Sequence, residues 1–432
     1  MPIYKVKRGF CCLLILILLF FKSFSQSPSF QVQKNRLVEL PFSDRVIGEP
    51  HLAINPNNSK HLLLGAMMWD SKEPYEINCI SAVSFDDGKT WKSYQFSGKS
   101  SADPWCIITS KGEAVFSLLN NDTMWTYHSA DGGISWKNAI SHGAHHDHET
   151  MTVAEHTKNS SRIYLVSVQA VKNKDGKGRE SVFVTSSADG GRSFSDKVNL
   201  IQNNLWKNTM TPVVLSDGTL LLSYNEYAYR TSKNNYVSLI KNHSWTISSK
   251  DSGRTFSEPR FITDRSAGFP VLEVDKSEKH KDRIYWVTTA ENGKQILCLY
   301  SSDQGERWSD PVVVSRSVLT KAIPNIGVSK NGIIGVTWYE KDSVRFCQNM
   351  YFASSLDGGQ TFSSPIRVSD QTSCADSTKN GKALRGGWSS GGHYTGIVAT
   401  DKGNFILVWA DARSGRYQLY ITEITVLEHI KN

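Results

Sequence analysis

The stretch SLDGGQTF, at Ser355–Phe362, decides how the chain folds, because five close copies precede it. They are SFDDGKTW (Ser84–Trp91), SADGGISW (Ser129–Trp136), SADGGRSF (Ser187–Phe194), SKDSGRTF (Ser249–Phe256) and SSDQGERW (Ser301–Trp308). All obey Ser-x-Asp-x-Gly-x-x-aromatic. Their aspartates stand at 86, 131, 189, 251, 303 and 357, so the intervals are 45, 58, 62, 52 and 54 residues. One match would mean little; six at this spacing mark a repeat architecture. An acid or Ser in a turn accepts hydrogen bonds from backbone N–H groups a few residues on. Gly supplies a positive φ without a Cβ clash, and the aromatic anchors the turn. Short β-like runs flank each copy, as in NCISAVSFDDGKTWKSYQF and RFCQNMYFASSLDGGQTFSSPIRV, so each copy is the turn of a β-hairpin.

Each hairpin extends backwards to two earlier strands, which gives six four-stranded units. A seventh unit, YTGIVATDKGNFILVWADARSGRYQLYITEI, lacks the turn and supplies three strands. Its fourth can come from SFQVQKNRLVEL near the N-terminus, a pairing that closes the ring and removes an exposed sheet edge. The expected fold is an all-β propeller of four-stranded antiparallel blades. The count is seven blades, or six if the last unit combines differently with the N-terminal region. Residues 26–432 are expected to form one domain, because neither half can bury its blade faces alone.

Residues 1–25 stand apart. Lys5, Lys7 and Arg8 precede the apolar run FCCLLILILLFF, and Ser23 and Ser25 lie just before Gln26. This reads as a secretory signal peptide, and the run is shorter than the ~20 residues that span a membrane. A secreted or periplasmic protein is expected, with no stable membrane insertion. The net charge is +8; Lys5, Lys7, Arg8 and Lys22 account for four of it, which leaves a mild +4 for the rest. That is no nucleic-acid signature. Seven cysteines are present, two of them in the leader. Export permits disulfides, and Cys347–Cys374 and Cys79–Cys106 are the candidate pairs.

The six turns resemble the Asp-boxes, or BNR repeats, of sialidase-like β-propellers of secreted bacterial type. The resemblance covers nearly all of the chain after about Phe30. It implies that the turns join the third and fourth strands of each blade, on the rim away from the substrate face. It also implies a glycan-active protein. One reading is a glycoside hydrolase of exo-sialidase-like type acting on acidic or complex glycans. The other is a non-catalytic glycan- or protein-binding scaffold. The motifs of true sialidases are incomplete. RVIGEPHLAI, near Arg45, lacks the early arginine motif that grips a substrate carboxylate, and Arg230, Arg345 and Arg413 have no recognisable sialidase context. Glu49-Pro50, Asp103-Pro104, Phe269-Pro270 and VWADARSG do match the look of secreted sialidase-like proteins, with His393 in place of an Asp before Tyr394.

In a propeller the starts of first strands and the ends of second strands share the face opposite the turns. The residues collected there are the candidate site. Glu49, Asp103 and Asp147 occupy matching places in three successive units and, with Tyr394, are the catalytic candidates. Crowded carboxylates raise one another's pKa, which suits acid–base glycoside cleavage. His51, Trp105, His148, Glu149, Arg230, His393, Asp411 and Arg413 are the substrate-binding candidates. In HHDHE (His145–Glu149), His146 and His148 alternate on a strand and could hold a divalent metal, although hydrogen-bonded loop histidines are commoner. No cofactor is expected, and the protein is expected to be a monomer with a glycan as its partner.

Overall fold

The computed structural model describes residues 28–427 except 71–75, 99, 158–159, 173–177, 204, 210, 232–236, 343–346 and 382–389. The chain forms seven antiparallel sheets, each led by an inner strand around a common axis. Those inner strands are Val46–Asn55, Ser101–Ile108, His146–Thr157, Trp206–Thr209 with Val213–Val214, Ser266–Val274, Thr320–Val328 and Gly396–Ala399, in blades 1 to 7. Among the described residues the sole α-helix is the single turn Ser377–Asn380.

Blade 7 closes the ring. Ser29–Val32 pairs antiparallel with the last strand, from Ser29 opposite Leu427 to Val32 opposite Ile424. Arg36–Leu37 continues along the same strand. The N-terminal segment therefore supplies the fourth strand that the box-less unit lacks, and the blade count is seven.

The six turns are built alike. In every copy the Ser Oγ donates to the Asp at 2.7–2.9 Å. The Gly N–H, whose residue has a positive φ in all six copies, donates back to that Oγ at 2.7–2.9 Å. The amide four residues after the Asp donates to its carboxylate at 2.9 Å throughout. Every turn joins the third and fourth strands of its blade. First and third strands run the same way, so first strands start on the face opposite the turns.

The core lies between blades. Trp69, Trp286, Trp338 and Trp409 all sit on second strands and are fully buried. One apolar cluster joins residues of blades 7, 1 and 2, including Val408, Leu63 and Phe116, and another joins Val287 of blade 5 to Trp338 of blade 6. Cys347 and Cys374 form a disulfide, directly opposite each other across two strands of blade 6. The second expected pair does not form: Cys79 and Cys106 are buried thiols on different blades.

Candidate functional site

A bulge recurs in the inner strands of blades 1, 2, 3, 5 and 6. The register jumps between Gly48 and His51, Ala102 and Trp105, Asp147 and Thr150, Ala267 and Val271, and Ala322 and Asn325. The residue after the first of each pair has a left-handed backbone: Glu49 (φ 50°), Asp103 (52°), His148 (52°), Gly268 (79°) and Ile323 (52°). A non-glycine residue there is strained, and such strain persists where the surroundings over-determine it. The bulges re-aim these side chains at the channel mouth. This register corrects one equivalence read from the sequence. The counterpart of Glu49 and Asp103 is His148, while Asp147 sits one residue earlier, level with Gly48 and Ala102.

Below the mouth lies an axial cavity of about 190 Å³, with walls that include His51, Trp105, His148, Phe269, His393 and Tyr394. His51 stacks on Trp105 with ring centroids 3.8 Å apart, and Trp105 meets Tyr394 edge-on at 5.9 Å. Phe269 packs between His148 and His393, at 4.6 and 5.2 Å. The Tyr394 hydroxyl lies 3.1 Å from His148 Nδ1. Burial, with the charges of Asp103 and Glu49 close by, holds the Tyr394 phenol well above its usual range. Tyr394 is therefore a neutral phenol at neutral pH, not a ready nucleophile. Burial pushes the His51 imidazole down to about 3, so it is neutral too.

The acids stand behind this wall. Glu49 is fully buried. It accepts the His393 N–H at 3.0 Å, and its own N–H donates to the Gly391 carbonyl at 2.7 Å. Burial and then the charge of Asp103 drive its carboxyl well above the usual range. Asp103 is partly buried and accepts the His148 N–H at 3.3 Å. Burial raises it to about 6, with nearby His148 opposing and Asp147 adding to the rise. Asp147 is exposed, with its Oδ2 3.9 Å from His148 Nε2. Glu149 is fully buried, and burial followed by the Asp103 charge raises it as well. It is not among the residues that line the cavity.

Other candidates are placed elsewhere. Arg413 donates to Asp411 at 2.7 Å, to Asp370 at 2.5 Å and to Asn35 at 3.1 Å, and its guanidinium lies 4.0 Å from the Tyr420 ring centre. Asp411 also accepts the Trp409 indole N–H at 3.0 Å. Asn35 lies between the two closing segments, so Asp411 and Arg413 form an outer clasp between blades 6 and 7 rather than part of the channel. Of Arg230 only the backbone is described, in the strand Leu220–Thr231, and Arg345 lies outside the described residues. His146 does not join His148. Its ring lies 2.8 Å from Ser167 Oγ and meets Phe183 edge-on at 4.8 Å, because the bulge breaks the strand alternation.

Sequence reasoning missed two features. Lys207 and Lys321 are buried cross-strand partners of Glu226 and Glu340, acids that also lie at second-strand ends. The bulges were missed as well, yet they leave a trace: Gly48-Glu49-Pro50, Ala102-Asp103-Pro104 and Ala322-Ile323-Pro324 share a small-x-Pro pattern.

No protein-family model matches the chain, and no curated protein matches it. Solved structures do share its fold. A protein of unknown function from Dyadobacter fermentans is 12% identical over 92% of this chain and 99% of its own, with a TM-score of 0.52. A Hadza microbial sialidase is 14% identical over 87% of this chain and 75% of its own, with a TM-score of 0.47. An intramolecular trans-sialidase from Ruminococcus gnavus is 11% identical over 89% and 96%, with a TM-score of 0.45. At these identities the likeness concerns the fold alone. Among the described residues no helix is long and apolar enough to cross a membrane.

Proposed function

We propose that the channel mouth is the catalytic site of a secreted glycan-cleaving enzyme, a glycoside hydrolase. The observation that carries this reading is an aromatic-walled cavity lined by His148 and Tyr394, with Glu49 and Asp103 just behind it on strained bulges, bonded to the His393 and His148 amides. Ring-faced walls with a few aimed polar groups suit a sugar. At about 190 Å³ the cavity is below the ~300 Å³ of drug-sized pockets, which favours a single terminal sugar over a polymer segment.

In this reading Asp103 and Asp147 work as one unit. Their closest oxygens are within 4.8 Å, too close to flank a glycosidic bond from both sides, which takes ~5 Å or more. The unit holds negative charge beside an oxocarbenium-like transition state, and Tyr394 and Glu49 hold protons next to it. The described lining contains no Lys or Arg, and Arg413 is committed elsewhere, so a neutral sugar fits better than an acidic one. The Cys347–Cys374 disulfide agrees with an oxidising compartment.

The test is turnover against neutral and acidic oligosaccharides, with Asp103→Asn, Asp147→Asn and Tyr394→Phe beside the wild type. The expected outcome is cleavage of neutral substrates and a fall of ~100-fold or more in Asp103→Asn and Tyr394→Phe. A wild type that cleaves nothing while a glycan array shows binding would establish the non-catalytic alternative. Full rates in all three variants would move the site elsewhere.

A further inference from the structure

We propose that Asp103, Asp147 and His148 bind one divalent transition-metal ion at the channel mouth. One ligand atom from each residue lies within 4.8 Å of the other two. Donors that share a single ion, at ~2.1–2.4 Å from it, stand up to ~4.8 Å apart, so a small inward shift of these side chains brings all three onto one ion.

The histidine is already arranged as a ligand. Its Nδ1 faces the Tyr394 hydroxyl at 3.1 Å, which leaves Nε2 on the Asp147 side at 3.9 Å. A metal-binding imidazole characteristically gives its other N–H to an oxygen, which fixes ring and tautomer; Tyr394 is that oxygen here. Two carboxylates with one imidazole suit Zn²⁺ or Mn²⁺ better than Ca²⁺ or Mg²⁺.

A second observation points to a missing cation. Glu149, the residue after His148, is fully buried. Neither of its carboxylate oxygens reaches a donor outside its own residue. Glu49, equally buried, has an Oε2 with no partner. Among the described residues neither Asp103 nor Asp147 makes an ion pair with a Lys or Arg. Buried acids without partners are costly, and a dication is the most compact group that would neutralise them.

Binding stands on this geometry alone; its consequence rests on the proposed hydrolase. A dication on the Asp103–Asp147 unit cancels the charge offered to a positive transition state, so the ion is expected to inhibit cleavage.

Chelator-stripped full-length protein would be titrated calorimetrically with ZnCl₂, MnCl₂, CaCl₂ and MgCl₂. One Zn²⁺ or Mn²⁺ per chain is expected, weakened at least tenfold in Asp147→Asn and in His148→Gln, with circular dichroism confirming that both variants fold. Asp147 is exposed, so its variant should leave the fold intact. No saturable binding, a preference for Ca²⁺ or Mg²⁺, or unchanged affinity in both variants would overturn the proposal. Ion binding by a protein whose metal-free form turns over no glycan would leave the site standing and sink the hydrolase reading; turnover without ion binding would do the reverse.

Discussion

Gly392 shows how tightly single residues hold the site. It has φ 116°, and a Cβ there would lie 1.9 Å from Glu49 Cγ. Beside it, the Gly391 carbonyl takes the Glu49 N–H. The entry to blade 7 is therefore pressed onto the bulge of blade 1, across the seam where the ring closes. Gly392→Ala combines a strained φ with overpacking, at ~1–3 kcal/mol each. A loss of roughly 2–5 kcal/mol in urea unfolding is expected, and a variant as stable as wild type would show that the clamp is not tight. Glu49 itself was readable as a candidate because it precedes Pro50 at a strand start. Its depth was not, since burial depends on a glycine pair more than 340 positions away.

At the scale of the element, inner strands carry two kinds of charge. Blades 1 to 3 bring acids to the mouth, whereas blades 4 and 6 bury a lysine against the acid opposite it. Lys321 Nζ contacts Glu340, is fully buried, and lies 5.4 Å from the Trp338 ring centre. Removing one partner of a buried pair strands the other charge, at ~3–5 kcal/mol, while replacing both by apolar groups is often neutral. Lys321→Met should therefore destabilise by that amount, and adding Glu340→Leu should recover most of it, as read from denaturation midpoints. A double variant no better than the single would mean that the pair is not a closed unit. In the linear chain Glu226 and Glu340 are simply acids at second-strand ends, because strand ends are read one strand at a time. Their lysines are recognisable only once the cross-strand register is known.

For the whole molecule, stability depends on the N-terminal closure. Ser29–Val32 and Arg36–Leu37 cover the outer edge of the last strand, and Asn35 between them donates to the Val368 carbonyl of blade 6 at 3.1 Å. Deleting residues 26–37 leaves blade 7 with three strands and an open edge, the template for edge-to-edge association. The expected result is a lower melting temperature and concentration-dependent oligomers in light scattering. A truncated chain that stays monomeric and melts with the wild type would show that the ring closes by other means.

The six turns, the seven-blade count, the closing strand and the Cys347–Cys374 pair were all legible in the linear chain. Each rests on short-range chemistry or on a repeat: an acid capping amides four residues on, a glycine with positive φ, or a unit with one strand too few. What the chain order could not convey was which polar strand ends meet at the axis. A one-residue bulge moved the blade-3 equivalent of Glu49 and Asp103 from Asp147 to His148. A salt-bridged clasp ties Arg413 and Asp411 to Asp370 and Asn35, and Glu149 is left buried with both oxygens unsatisfied. Side chains separated by whole blades come together only through the pitch of the ring and the register of its sheets, and no local pattern encodes either.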